Sequence, residues 1–227
     1  MNTHYTYLAI LVAALAAPLL LSFDKKVAFY KSWRYLFPAL LFPALIYIVW
    51  DIYFVSQGVW RFNRDYIIGI KFINLPLEEV LFFFVVPYCC LFIYECIRSY
   101  FPSLKNIKIA DVILKLLAVI LLITGIIFYE RLYTSWTFIA TAIFIFCIYT
   151  FPKLFSAFDA ASFLVSFIII LVPFLIVNGF LTSIPVVLYN DAENTGIRIY
   201  TIPVEDIFYG MLLVMMNICI YGKIKAE

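Results

Sequence analysis

The residues with the greatest chemical potential in this chain are two acidic pairs, Glu78-Glu79 and Glu205-Asp206. Each follows a proline by two residues, in Pro76-Leu77-Glu78-Glu79 and Pro203-Val204-Glu205-Asp206. Each also opens a strongly apolar stretch, from Val80 to Tyr94 and from Ile207 to Tyr221. Carboxylates are costly beside hydrocarbon, so pairs placed there twice point to use rather than accident. One acid in a helix first turn would serve as a dipole partner. Two in succession point about 100° apart and meet different surroundings. Desolvation and a second carboxylate favour the protonated form, while a helix N-terminus or a cation favours the ionised one. Lys71 and Arg198 are the candidate cations. The useful outcome is one protonated acid and one ionised base in the same cavity.

The elements that position these pairs are predicted to be membrane helices. The chain of 227 residues is 66% hydrophobic, 20% aromatic and 13% charged, with a mean hydropathy of +1.05. A soluble domain of that length could not bury so much apolar surface. Seven apolar runs reach spanning length, at about 5–21, 36–55, 78–97, 110–128, 134–150, 160–181 and 204–221. The reading is an all-α integral membrane protein forming a single membrane domain, 1–227. The first run lacks the basic n-region of a cleaved leader and is read as a retained span. Five of the sixteen Lys and Arg residues, Arg61, Arg64, Lys71, Arg131 and Arg198, fall on one side. The other eleven fall on the opposite side, which predicts a multi-pass protein of the cell membrane with its N-terminus outside and C-terminus cytoplasmic. The net charge of +2 points to no particular partner, and nothing in the sequence suggests nucleic acid.

Offsetting the chain by 127 residues aligns more than the acids. Asp51 meets Asn178, Ser56 meets Ser183, and Phe62-Asn63 meets Tyr189-Asn190. Gly69-Ile70-Lys71 meets Gly196-Ile197-Arg198, and Phe82 meets Tyr209. This predicts two three-helix repeats, 1–100 and 131–227, with the fourth helix (101–130) as connector. An offset of four spans keeps both halves in the same orientation, so the repeats are parallel, about a two-fold axis along the membrane normal. Both acidic motifs then face a shared interior at one depth, suited to a long molecule with two similar ends.

Other chemistries find no residues. The only histidine is His4, which leaves no His-based metal site or Ser-His pair. Cys89, Cys90, Cys96, Cys147 and Cys219 show no CxxC spacing and read as buried small hydrophobes. No GxG dinucleotide fingerprint appears, nor any DDxxD or NDxxD pattern for a magnesium diphosphate. The expectation is therefore no cofactor and no metal. Aromatic residues crowd the motifs, with Phe82, Phe83, Phe84, Phe208, Tyr209, Trp50, Trp60, Phe62 and Tyr66 nearby. Most are expected to pack or anchor at the interface. Ring faces also attract cations, by about 2 kcal/mol when desolvated. An apolar, aromatic cavity with an acid and a base suits proton-initiated carbocation chemistry on a hydrocarbon.

The sequence resembles the membrane lycopene cyclases. In the first half the likeness lies in Trp50-Asp51, Gly58 with Trp60-Arg61-Phe62-Asn63, and Leu75-Pro76-Leu77-Glu78-Glu79 with Phe82-Phe83. In the second it lies in Asn178-Gly179, Pro185-Val186, Tyr189-Asn190, Gly196-Ile197-Arg198, and Pro203-Val204-Glu205-Asp206 with Tyr209-Gly210. It covers essentially the whole chain, in the fused form of the family without an attached phytoene synthase. The resemblance implies protonation of a linear carotene at C2, closure of the C1 cation onto C5=C6, and proton loss from C6 to give a β-ring. Repetition at the other end converts lycopene to β-carotene through γ-carotene, with no net oxidation. It assigns the proton transfers to Glu78, Glu79, Glu205 and Asp206. Of these, Glu78 and Glu205, identical between copies, are expected to be the most sensitive. Asp51, Trp60, Asn63, Lys71, Phe82, Asn178, Asn190, Arg198 and Tyr209 are expected to bind substrate or support the acids. Expected partners are the carotenoid, the bilayer and other carotenoid enzymes. Three alternatives remain at this point: a cyclase of C50 or other carotenoids forming ε-rings by proton loss from C4, a proton-coupled transporter, and a non-catalytic carotenoid-binding or assembly protein.

Overall fold

The structure is a computed structural model and describes residues 3–105 and 107–226. Among these residues, seven helices are long and apolar enough to cross a membrane. They are α1 (Thr6–Leu21), α2 (Trp33–Ser56), α3 (Leu77–Tyr100), α4 (Lys108–Ile127), α5 (Leu132–Thr150), α6 (Ala160–Ser183) and α7 (Glu205–Ala226). Prolines lie inside α1 (Pro18), α2 (Pro38 and Pro43), α3 (Pro87) and α6 (Pro173). Spanning helices tolerate such residues because neighbouring helices compensate for the lost backbone bond. The main core brings α2 to α7 together, with Leu36, Leu91, Leu114, Phe163 and Met215 at its centre. A second, more aromatic core gathers Tyr7, Phe54, Trp60, Tyr133 and Val186 near the acidic residues.

Among the described residues, six short strands, which hydropathy does not reveal, organise the loops that carry the acids. They are β1 (Trp60–Phe62), β2 (Lys71–Phe72), β3 (Leu75–Pro76), β4 (Val187–Tyr189), β5 (Arg198–Ile199) and β6 (Ile202–Pro203). Antiparallel β1 and β4 pair Trp60 with Tyr189, Arg61 with Leu188, and Phe62 with Val187. The Asn63 N–H donates to the Val186 carbonyl and the Asn190 N–H to the Val59 carbonyl, both at 2.9 Å. Each of these bonds becomes the other when its partners are exchanged at the 127-residue offset.

Two hairpins lead into the acidic helices. Lys71 pairs with Pro76 and Phe72 with Leu75, while Arg198 pairs with Pro203 and Ile199 with Ile202. Their turns place Ile73 and Tyr200 at φ 58° and 59°, a costly conformation for a bulky side chain. The sequence places each proline at the first helical position, but Pro76 has φ −64° and ψ 150°. That extended geometry lets its carbonyl side remain in the hairpin, and the helix begins at Leu77. In the second half α7 begins at Glu205, two residues after Pro203.

Candidate active site

Each acidic pair is divided between two tasks by the turn of the helix. Glu78 and Glu205 are both 0% exposed and reach back to the loop before their own helix. Glu78 Oε1 accepts the Ile68 N–H at 2.7 Å, and Glu205 Oε1 accepts the Thr195 N–H at 2.7 Å. Glu205 Oε1 also accepts from the Thr134 hydroxyl at 2.6 Å. These carboxylates tie the hairpins to the helix N-termini. Glu79 and Asp206, one step further round, line an inner cavity of about 60 Å³.

Tyrosines address both cavity acids. Tyr7 on α1 donates to Glu79 Oε2 at 2.5 Å. Tyr133 on α5 donates to Asp206 Oδ1 at 2.5 Å, and Tyr189 on β4 donates to Oδ2 at 2.8 Å. Asp51 on α2 is 1% exposed and accepts from the Tyr209 hydroxyl on α7 at 2.6 Å. The Asp51 and Glu79 carboxyls line the same cavity, and Asp51 Oδ2 has no hydrogen-bond partner among the described residues. One side of the cavity therefore holds two carboxyls, Asp51 and Glu79. The other holds Asp206, whose two oxygens each receive a tyrosine O–H.

The walls are aromatic. Trp60 lies 5.1 Å from Tyr133, 5.9 Å from Tyr189 and 6.1 Å from Tyr209, ring centre to ring centre. Tyr209 also meets Tyr47 at 4.6 Å and Trp50 at 5.5 Å. Phe82, Asn178 and Phe62 complete the lining near the acids.

Of the residues singled out in the sequence, Asp51, Trp60, Glu79, Phe82, Asn178, Asp206 and Tyr209 are brought together around this cavity. Others are held elsewhere. Asn63 and Asn190 accept from the Asp65 and Ala192 backbone N–H groups, each at 3.1 Å, and shape matching turns. Lys71 is exposed on β2 and, among the described residues, forms no ion pair. Arg198 pairs with Asp191, donates to the Thr201 carbonyl at 2.6 Å, and sits 5.9 Å over the Tyr189 ring. Neither cation pairs with the motif carboxylates; hydroxyls and backbone N–H groups supply their hydrogen bonds.

Sequence reading missed Tyr7, Tyr133 and Thr134, and quoted Tyr189 only as part of the Tyr189-Asn190 motif, without a role at the site. Tyr7 and Tyr133 play the same part 126 rather than 127 residues apart, so the offset that aligns the loops leaves them out of step. Among the described residues, no three of His, Cys, Asp and Glu form a group that could hold a metal.

Comparisons with known proteins agree with the resemblance. The lycopene cyclase family matches residues 4–97 and 130–224, leaving out all of α4. A bifunctional lycopene cyclase/phytoene synthase of Pyrenophora tritici-repentis is 44% identical over 41 residues, 18% of this chain and 7% of that protein. Its counterpart in Aspergillus niger is 36% identical over 39 residues, 17% of this chain and 7% of that protein. A lycopene beta-cyclase of Halobacterium salinarum is 38% identical over 61 residues, 24% of this chain and 26% of that protein. The aligned stretches thus span a small part of each relative. No solved structure matches the chain.

Proposed function

The chain belongs to the lycopene cyclase family, and from that membership we propose that it closes the ends of linear lycopene into β-rings, giving β-carotene through γ-carotene. The observation that carries this reading is the inner cavity, where the Asp51–Glu79 pair and Asp206 face one aromatic-walled space. The Asp51–Glu79 pair gives its proton to C2 of the terminal double bond. The C1 cation is attacked by the C5=C6 bond, and the positive charge moves to C5. Asp206 takes the proton from C6, and the electrons of that bond form the ring double bond. One proton enters and one leaves, so the substrate is neither oxidised nor reduced and the chemistry needs no cofactor. The proton must return from Asp206 to the pair before the next turnover. Faces of Trp60, Tyr133 and Tyr209 stabilise the cation, each by up to about 2 kcal/mol in a dry site.

We further read the protein as spanning the cell membrane, N-terminus outside, with two parallel repeats about an axis along the membrane normal. The matched β1–β4 bonds, the paired hairpins and the two stretches matched by the family support that arrangement. The bilayer then delivers the carotenoid sideways, and enzymes that make or modify carotenes are its natural neighbours. The fungal relatives are named as bifunctional with phytoene synthase, another enzyme of carotene synthesis, which suits this reading.

Expression in a lycopene-accumulating bacterium, followed by pigment chromatography, tests the proposal. Bicyclic β-carotene is the expected product, and unchanged lycopene overturns the reading. Rings with the ε double bond would keep the acid chemistry but move the base, because proton loss from C4 needs a differently placed acceptor.

A further inference from the structure

The inner cavity adjoins a second, larger one of about 680 Å³, lying among α1, α3 and α6. The two share Phe82, Val86, Cys90, Ile170, Phe174 and Asn178 as lining. The outer space falls within the range of about 300–1,000 Å³ typical of sites for sizeable ligands, and the inner one lies far below it. Its wall on α1 is small and apolar, with Ala9, Ala13, Ala14 and Ala17 in the lining. Ala9, Ala13 and Ala17 are exposed at its edge, as are Ile176 and Phe180 on α6. The outer cavity is thus an apolar groove, open at the helix surface and running in to the acids.

The matching place in the other half, among α5, α7 and α2, is filled. Val177 and Phe180 of the open groove correspond at the 127-residue offset to Trp50 and Tyr53. Ile10 corresponds to Trp136 at the 126-residue offset that relates Tyr7 to Tyr133. Trp136 stacks on Tyr53 at 5.2 Å with the rings 25° apart, and reaches Trp50 at 6.3 Å. Helix α4 also packs along α5, where Gly125 would place a Cβ 2.8 Å from the Ile139 side chain. Aromatic bulk closes one groove, and alanine leaves the other open.

We infer that the groove among α1, α3 and α6 holds the unreacted polyene arm of the substrate, and that a single chamber therefore cyclises the two ends in turn. This rests on the cyclase reading above. While one end reacts at the acids, the rest of the hydrocarbon must lie outside a 60 Å³ chamber, and this groove gives it an apolar bed that shares lining with the site. A monocyclic carotene is then withdrawn into the bilayer and returns with its other end first. The near-symmetry of the chain does not make two equivalent active sites.

The test uses the full-length protein in liposomes loaded with excess lycopene. At low conversion the unaltered protein is expected to release mostly monocyclic product, with bicyclic product appearing only later. Bicyclic product dominating from the start overturns the single chamber. Ala13→Trp, which fills the groove, is expected to slow both ring closures by about tenfold or more. Val12→Trp, beside it on α1 but outside the groove, is expected to leave the rate unchanged. Equal rates for Ala13→Trp and the unaltered protein overturn the groove assignment while leaving the cyclase reading intact. Equal losses in both variants also overturn it, since crowding of α1 would then explain the effect. No ring product from the unaltered protein overturns the cyclase reading, and this inference with it.

Discussion

Asp51 and Tyr209, 158 residues apart in the chain, are joined by a 2.6 Å hydrogen bond between α2 and α7. The 127-residue offset turns that pair into Asn178 and Phe82, which cannot form the same bond because phenylalanine has no hydroxyl. Both residues of each pair line the inner cavity. Its two sides therefore share a backbone plan while differing in donors and acceptors. On the proposed two-repeat plan the frame is common to both halves, and a few substitutions give the sides separate parts in the proposed proton transfer.

Tyr209→Phe tests that difference by giving the first side what the second already has. The ring remains to pack against Tyr47 and Trp50, so the folded protein is expected in normal amount. A hydrogen bond to a charged group is worth about 1.5–3 kcal/mol, which corresponds to roughly a 10- to 150-fold fall in turnover if it acts in the transition state. Lycopene conversion in isolated membranes measures it. An unchanged rate would remove the Asp51–Tyr209 link from the mechanism.

Asp191 and Arg198 lie in the loop before α7, outside the spans. The hydrogen bond from Arg198 holds the Asp191 carboxyl below its ordinary range. A lowered folded-state value means that its contribution is fully present above the unfolded value, near 3.9, and is lost as pH falls through the lower folded one. The pair is exposed, with Asp191 63% accessible, so the effect is at the small end for ion pairs, about 0–1 kcal/mol. Asp191→Asn is expected to melt slightly earlier than the unaltered protein at pH 7, and the gap should close on acidification below about pH 4. A gap that persists in acid would mean that Asp191 acts through something other than its charge.

The seven helices are legible in the sequence because long apolar runs have few alternatives in a chain of this composition. Glu79, Asp206, Asp51 and Tyr209 are legible because polar residues in such runs stand out. The split within each acidic pair is not, since it depends on which side of α3 or α7 the hairpin folds back, and the hairpins are only two residues per strand. Tyr7 and Tyr133 are hidden for a different reason. One residue of slippage between α1 and α5 separates them from the register that aligns Glu78 with Glu205. Identity between copies marks Glu78 and Glu205, yet what is identical there is a loop anchor, the bond to Ile68 or Thr195.

The crossing of α4 and α5 offers a test remote from the cavity. At Gly125 an added Cβ would lie 2.8 Å from Ile139 Cγ1 and 3.3 Å from the Ile139 backbone nitrogen. An alanine there would gain about 1 kcal/mol of helix propensity and lose packing of similar size, so its sign is finely balanced. Gly125→Leu adds bulk that the backbone contact cannot accommodate, and overpacking costs about 1–3 kcal/mol. Its melting temperature in detergent is expected to fall, while cyclisation per folded molecule stays near that of the unaltered protein. Unchanged melting would mean that the two helices can separate freely at this point.

The sharpest comparison is between the two members of each acidic pair. Glu79→Gln and Asp206→Asn keep the shape of the cavity and remove an ionisable group from it. General acid–base contributions are typically 10²–10⁴-fold, so each is expected to leave folded protein in membranes that accumulate lycopene. Glu78→Gln and Glu205→Gln retain a carbonyl oxygen that can still accept the Ile68 or Thr195 N–H. These are expected to keep most of the cyclisation rate and to lose some stability. Glu78→Ala and Glu205→Ala, which leave a buried N–H without an acceptor, should cost about 1–3 kcal/mol and reduce the amount of folded protein. Pigment ratio per folded molecule is the deciding measurement. If Glu78→Gln and Glu205→Gln abolish ring closure while remaining fully folded, the acids that bind the loops are themselves the proton carriers, and the roles given to Glu79 and Asp206 must be reassigned.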